Sequence, residues 1–146
     1  MSKILTAIGC LCTVAVALPV GADAASSATA KPPHIRQFEY SEDYEGIGRH
    51  HSVFATVRGE ALRVSARAGA VKADGRLDPV AGPTDYWDFR DHDFVRGLLD
   101  DLYDDGTATV TVKAVGETRT VRKRCTMVLE PDPEFGDYAS GDCKRV

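Results

Sequence analysis

The residue types in this chain best suited to acid–base chemistry or metal binding are its four histidines. His50 and His51 are adjacent, and adjacent residues of a strand project to opposite faces, so one metal ion does not easily take both. His92 stands beside Asp93 where a helix should begin, and a carboxylate there complements the positive end of the helix. Solvated or hydrogen-bonded histidines are the simpler interpretation, with a site built from His34, His50 or His92 and distant carboxylates as the alternative. We predict no metal site and no cofactor.

Recognisable catalytic motifs are absent from the sequence. It contains no Gly-x-Ser-x-Gly, no His-Glu-x-x-His, no phosphate-binding glycine loop and no dinucleotide-binding fingerprint. We therefore predict no catalytic residue. The alternative is a hydrolase of unrecognised type that uses His50, His51 or His92 with a nearby carboxylate, which requires two of these side chains to meet in a cleft.

Four carboxylates lie close together where a predicted helix ends: Asp100, Asp101, Asp104 and Asp105. Like charges four residues apart on a helix destabilise it by a few tenths of a kcal/mol, and the negative end of the helix dipole adds to the penalty. Solvation and pairing with the basic segment Arg122–Arg124 would offset this. Calcium is a weaker alternative, because the segment does not match an EF-hand loop. Simple solvation is the favoured interpretation, and the four residues are our candidate binding residues for a cationic protein partner.

Aromatic and charged residues alternate just before the same helix, in the segment Tyr86–Arg90. Aromatic side chains of this kind form the hot spots of protein interfaces, and they also seal the entry of a helix into a core. Tyr86 and Trp87 are therefore candidate binding residues, with core packing as the favoured alternative.

The first 24 residues have the pattern of a secretory signal peptide. Lys3 gives a positive start, Ile4–Val20 is an almost unbroken apolar run, and Ala22–Ala24 supplies the small residues that signal peptidase requires. We predict cleavage after Ala24, a periplasmic or secreted location, and no membrane span in the mature chain. The absence of asparagine and the excess of arginine over lysine indicate GC-rich coding and favour a bacterial source.

After cleavage, residues 25–33 form a predicted flexible leader and residues 34–146 a single small domain. The formal net charge is −4, and this mildly acidic balance argues against a nucleic-acid partner. Cys10 and Cys12 leave with the signal peptide. Cys125 and Cys143 remain, and in an oxidising compartment they should form one disulfide.

Alternation of polar and apolar residues predicts several strands joined by hairpins. Segments 52–58 and 61–67 should pair through a turn at Gly59–Glu60, with Leu62 on the core face, and Asp74–Gly75 suggests a second turn. Gly116–Glu117 should join strands 107–115 and 118–129. The tail after Leu129 contains no pattern for a regular element.

One amphipathic helix is predicted in the middle of the domain. Its apolar stripe consists of Phe94, Val95, Leu98, Leu99 and Leu102. Asp91 or Asp93 should cap its start and Gly106 its end. Gly97 in its interior suggests close packing on a neighbour. The predicted fold is α+β, an antiparallel hairpin sheet packed with one main helix and held by one disulfide.

These observations favour a small secreted or periplasmic protein-binding domain, in the manner of an inhibitor or immunity factor that acts on a basic partner. The alternatives are the unrecognised hydrolase and a structural envelope-associated domain without a discrete site. The sequence does not indicate an oligomeric state.

Overall fold

The computed structural model describes residues 30–45, 48–79 and 84–146. The predicted signal peptide and residues 25–29 of the predicted leader lie outside these ranges. Residues 31–33 lie against the rest of the domain, since the Lys31 carbonyl accepts a 2.9 Å hydrogen bond from the Glu60 amide. Within the described residues, no helix is long and apolar enough to cross a membrane.

The described residues form nine strands and one helix. In chain order they are β1 (His34–Glu45), β2 (Gly48–Arg58), β3 (Arg63–Ala68), β4 (Val71–Asp74), β5 (Arg76–Leu77), β6 (Asp85–Asp88), α1 (His92–Asp105), β7 (Thr107–Val115), β8 (Thr120–Glu130) and β9 (Tyr138–Arg145). All neighbouring strands are antiparallel, in the order β4-β3-β7-β8-β9-β1-β2-β6-β5. The prediction of an antiparallel sheet with one helix and one disulfide is confirmed, although the domain is mostly β.

The sheet is nearly closed into a barrel, because its two edge strands are consecutive in the chain. Only Gly75 separates β4 from β5, and its amide donates a 2.8 Å hydrogen bond to the Val64 carbonyl. A Cβ at this position would come within 3.0 Å of the Phe89 ring. The predicted tight turn at Asp74–Gly75 is therefore wrong, since the chain crosses here from one edge of the sheet to the other.

The core is formed by inward-facing strand residues and one face of α1. In β7, every second residue from Ala108 to Ala114 is buried, as alternation requires. The rings of Phe38, Phe89 and Phe94 meet with centroids 5.4 to 6.3 Å apart. These rings join the sheet to the start of the helix.

The helix is the element that its local sequence specifies most fully. The Asp91 side chain accepts a 2.9 Å hydrogen bond from the Phe94 amide, and Gly106 ends the helix with φ of 73°. Phe94, Leu98 and Leu102 are buried. The predicted stripe and caps are confirmed. The prediction that Gly97 packs closely on a neighbour is wrong, because a Cβ at this position would meet no neighbouring atom within 4 Å.

The predicted hairpin at Gly59–Glu60 does not form. Strand β2 pairs with β1 and β6, whereas β3 pairs with β4 and β7, so the segment between them crosses the barrel. Gly59 has φ of 86°, and any Cβ there would collide with the Pro32 carbonyl. Leu62 precedes β3 and is 66% exposed, contrary to the predicted core position.

Cys125 and Cys143 form the predicted disulfide. They lie directly opposite each other on β8 and β9. The expectation that the tail after Leu129 holds no regular element is wrong, because Tyr138–Arg145 forms β9 between β8 and β1. Gly141 permits this strand to approach β8 closely.

Candidate functional site

The histidines lie on the surface of the domain. His50 and His51 are exposed on β2, and His92 at the start of α1 lies 3.7 Å from the Asp93 carboxylate. His51 and His92 line the same hollow of about 450 Å³ between β2 and α1, and no hydrogen bond joins them. Across residues 30–45, 48–79 and 84–146, no three histidine, cysteine or carboxylate side chains are arranged to hold a metal ion.

His51 belongs to a chain of polar contacts that passes through the helix residue Tyr103 to Asp137. Its Nδ1 is 2.9 Å from the hydroxyl of buried Tyr40, and the Tyr40 hydroxyl interacts in turn with Tyr103. Tyr103 donates a 2.7 Å hydrogen bond to Asp137. Burial raises the pKa of Tyr103 well above its ordinary value, and the bond to Asp137 raises it further. These contacts tie α1 to β1 and to the segment before β9.

The acidic cluster lies where the sequence places it, at the exposed end of α1: Asp100, Asp101, Asp104 and Asp105. In the part of the chain that the structure describes, none of the four forms an ion pair within 4.0 Å. The suggested pairing with Arg122–Arg124 does not form. Lys123 donates instead to the Ile35 carbonyl at 2.7 Å, and Arg122 and Arg124 point to the outer face of the sheet.

The two aromatic candidate residues, Tyr86 and Trp87, differ in their exposure to solvent. Trp87 is 6% exposed and belongs to the core, because inward positions of β6 face the barrel interior. Tyr86 is 38% exposed and packs edge-on against Phe54, with ring centroids 5.5 Å apart. Only Tyr86 offers surface to a partner.

The outer face of β4, β3, β7, β8 and β9 carries a concentration of positive charge that sequence analysis missed. We call it the cationic face and define it by Arg63, Arg67, Lys72, Lys113, Arg122, Arg124 and Lys144. The first six line an open hollow of about 620 Å³, and Lys144 lies beside Arg124 in an adjoining one. Asp74 is the acidic side chain that lines the larger hollow, 3.8 Å from the Lys72 amine, and Asp142 lines the adjoining hollow beside Lys144.

Strand register sets these cations against each other in three pairs. Lys72 is directly opposite Arg67, Lys113 is opposite Arg122, and Lys144 is opposite Arg124. Like charges in this position destabilise a sheet, whereas opposite charges would stabilise it by roughly 0.2–1 kcal/mol. Stability alone therefore does not account for the arrangement, and an anionic group placed between the pairs would relieve the repulsion.

Comparisons of the chain with models of protein families, with curated proteins and with solved structures find no match. The charges and contacts of the described residues are therefore the basis for a functional proposal.

Proposed function

We propose that this chain is a binding domain whose cationic face holds an acidic polysaccharide. The observation that supports the proposal is the set of three directly opposed cation pairs in the strand register. Arginine and lysine recognise carboxylate, sulfate and phosphate groups, and arginine can do so with two parallel hydrogen bonds. A repeating anionic chain would supply one negative group for each pair.

The cations also form a line that suits an extended polymer. Lys72, Arg67, Arg124 and Lys144 follow one another across the sheet, with Thr111 of β7 in the middle of the row. Strands lie about 4.8 Å apart, so the row across five strands spans roughly 19 Å. A linear polymer lying across the strands could contact several of these side chains at once.

Two other classes of ligand fit the face less well. Val115 and Val146 are the largest apolar side chains that line the hollow, and no aromatic residue lines it. Stacking platforms for nucleic-acid bases and the aromatic anchors of protein interfaces are therefore missing from this surface.

The test measures binding of polyuronate, heparin, duplex DNA and poly-L-glutamate to the mature chain over a salt series. We expect binding to polyuronate or heparin that weakens as salt rises, because exposed charges are screened. The double variant Arg67→Gln/Arg124→Gln should weaken it by roughly tenfold, given up to about 1 kcal/mol for each exposed ionic contact.

The matched control removes two exposed arginines elsewhere, Arg58→Gln/Arg76→Gln, and should leave the affinity within about twofold of the wild type. Equal loss of affinity in both double variants would show that binding depends on the net charge of the protein and not on the cationic face, which would contradict the proposal. Binding to DNA or poly-L-glutamate alone would contradict the choice of polysaccharide.

A second candidate function is binding of a basic protein through the acidic cluster, as an inhibitor or immunity factor would. It is supported by the four exposed carboxylates, which have no ion pair within the described ranges. Changing all four to asparagine should weaken capture of a cationic envelope protein and flatten its salt dependence. Unchanged capture would exclude this role. A secreted or periplasmic location is part of both proposals, and the disulfide is consistent with it.

A further inference from the structure

One edge of β2 is left without a neighbour over half its length. Strand β6 covers this edge only along Phe54–Val57, and the last hydrogen bond on this side joins the Phe89 amide to the Val53 carbonyl at 2.8 Å. The segment Gly48–Ser52 is exposed and, among the described strands, pairs only with β1. Hydrogen-bonding directions alternate along an antiparallel strand, so the amide and carbonyl of His51 face the open edge, as those of Val53 do.

A hollow with an apolar floor lies next to this open edge. Its volume is about 450 Å³. Its apolar lining consists of Val53 and Phe89 on the side of the sheet and Val95 and Leu99 on the side of α1. The two helix residues are four apart and therefore lie on the same face. His51 projects to the same side of β2 as Val53, so a strand added here would direct alternate side chains into the hollow.

The rim of the hollow is positively charged. Arg90 is neutralised by Asp88 at 3.1 Å, whereas Arg96 has no ion pair in the described part of the chain. His92 lies on the same rim. A carboxylate next to an apolar residue of an incoming chain would find a partner in Arg96.

We propose that the open edge of β2 binds an extended peptide segment of another protein as an added strand. An apolar side chain of that segment fills the hollow, and an acidic residue beside it pairs with Arg96. Main-chain hydrogen bonds supply affinity in this kind of recognition, and the hollow supplies specificity. A second copy of this chain fits less well, because its own open segment Gly48–Ser52 contains no carboxylate that could pair with Arg96. The site shares no residue with the cationic face, so either proposal can fail alone.

The experiment selects peptides from a phage-displayed library of random dodecapeptides against the mature chain and measures their affinities. We expect enriched sequences that alternate apolar and polar residues with an acidic residue next to an apolar one. His51→Pro should weaken binding at least tenfold, because proline removes the edge amide and fills its place. His51→Ala is the matched control, because it also loses the contact with Tyr40 but keeps the edge amide. This variant should bind within about threefold of the wild type.

Two further measurements separate strand addition from other binding modes. N-methylation along a selected peptide should weaken binding at every second position, and Arg96→Glu should weaken acidic peptides more than their amide analogues. Equal affinity of His51→Pro and His51→Ala, or an N-methylation profile without a two-residue period, would overturn the proposal. Failure to enrich any peptide would also overturn the proposal. Concentration-dependent self-association that His51→Pro abolishes would overturn it as well, because the occupant of the edge would then be a second copy of this chain. Circular dichroism of each variant establishes that it is folded.

Discussion

Replacing Gly141 by alanine is expected to lower the free energy of unfolding by about 3 kcal/mol or more. A Cβ at this position would collide with the Thr126 carbonyl and lie 2.9 Å from the Met127 amide nitrogen. Both obstacles are backbone atoms of β8, which is paired on its other side with β7 and cannot move away without breaking that ladder. Denaturant unfolding followed by circular dichroism measures the change.

The matched control for this prediction is the same substitution in the helix. Gly97→Ala places its Cβ in open space, and alanine favours a helix interior over glycine by about 0.8–1 kcal/mol, so this variant should be more stable than the wild type. Opposite signs for the two variants would show that contact geometry decides the outcome. A Gly141→Ala variant that unfolds at the wild-type denaturant concentration would show that β8 and β9 are not as close as described.

The second large effect is expected from removing the disulfide. Cys125 and Cys143 are 18 residues apart, and the chain-entropy relation gives about 3 kcal/mol for a loop of this size. Cys125→Ala/Cys143→Ala should unfold at a correspondingly lower denaturant concentration. Alanine is preferred to serine because both positions face the core and a buried hydroxyl would add its own penalty.

Strand β9 should nevertheless stay in place in this variant, because it hydrogen-bonds to β8 and β1 on its two sides. Reductant should shift the wild-type transition to that of the double variant and leave the double variant unaffected. An unfolding transition insensitive to reductant in both proteins would mean that the bridge contributes no stability.

The parts of the fold that were predictable are those that a short stretch of sequence specifies. The helix between Asp91 and Gly106 carries its cap, its apolar stripe and its stop signal within one segment. The hairpin of β7 and β8 likewise follows from two alternating runs around a turn at Gly116. Gly59 and Gly75 also predicted hairpin turns, but the two strands on either side of each glycine pair with other strands and not with each other. Such crossings depend on which strands complete the barrel, and local alternation does not contain that information.

The candidate site was harder to predict than the fold, for a related reason. Alternation along β8 directs Arg122 and Arg124 to the outer side of the sheet, away from buried Cys125 and Met127. The side chains opposite them, Lys113 and Lys144, come from strands before and after β8, and Arg67 and Lys72 come from a hairpin far earlier in the chain. Charges from five separate strands became a cluster only through strand order. The acidic cluster, by contrast, is contiguous in the sequence and was therefore visible from the start.

The junction at Gly75 gives the molecule a built-in optical reporter. The strand after it, β5, has only two residues and is the shortest of the strands that the structure describes. Trp87 is opposite Leu77 of β5, and its Cβ lies close to where a side chain at Gly75 would begin. It is also the single tryptophan of the chain. The emission wavelength of this indole should therefore change when β5 separates from β6, and fluorescence can follow that local opening while far-ultraviolet circular dichroism still reports an intact sheet.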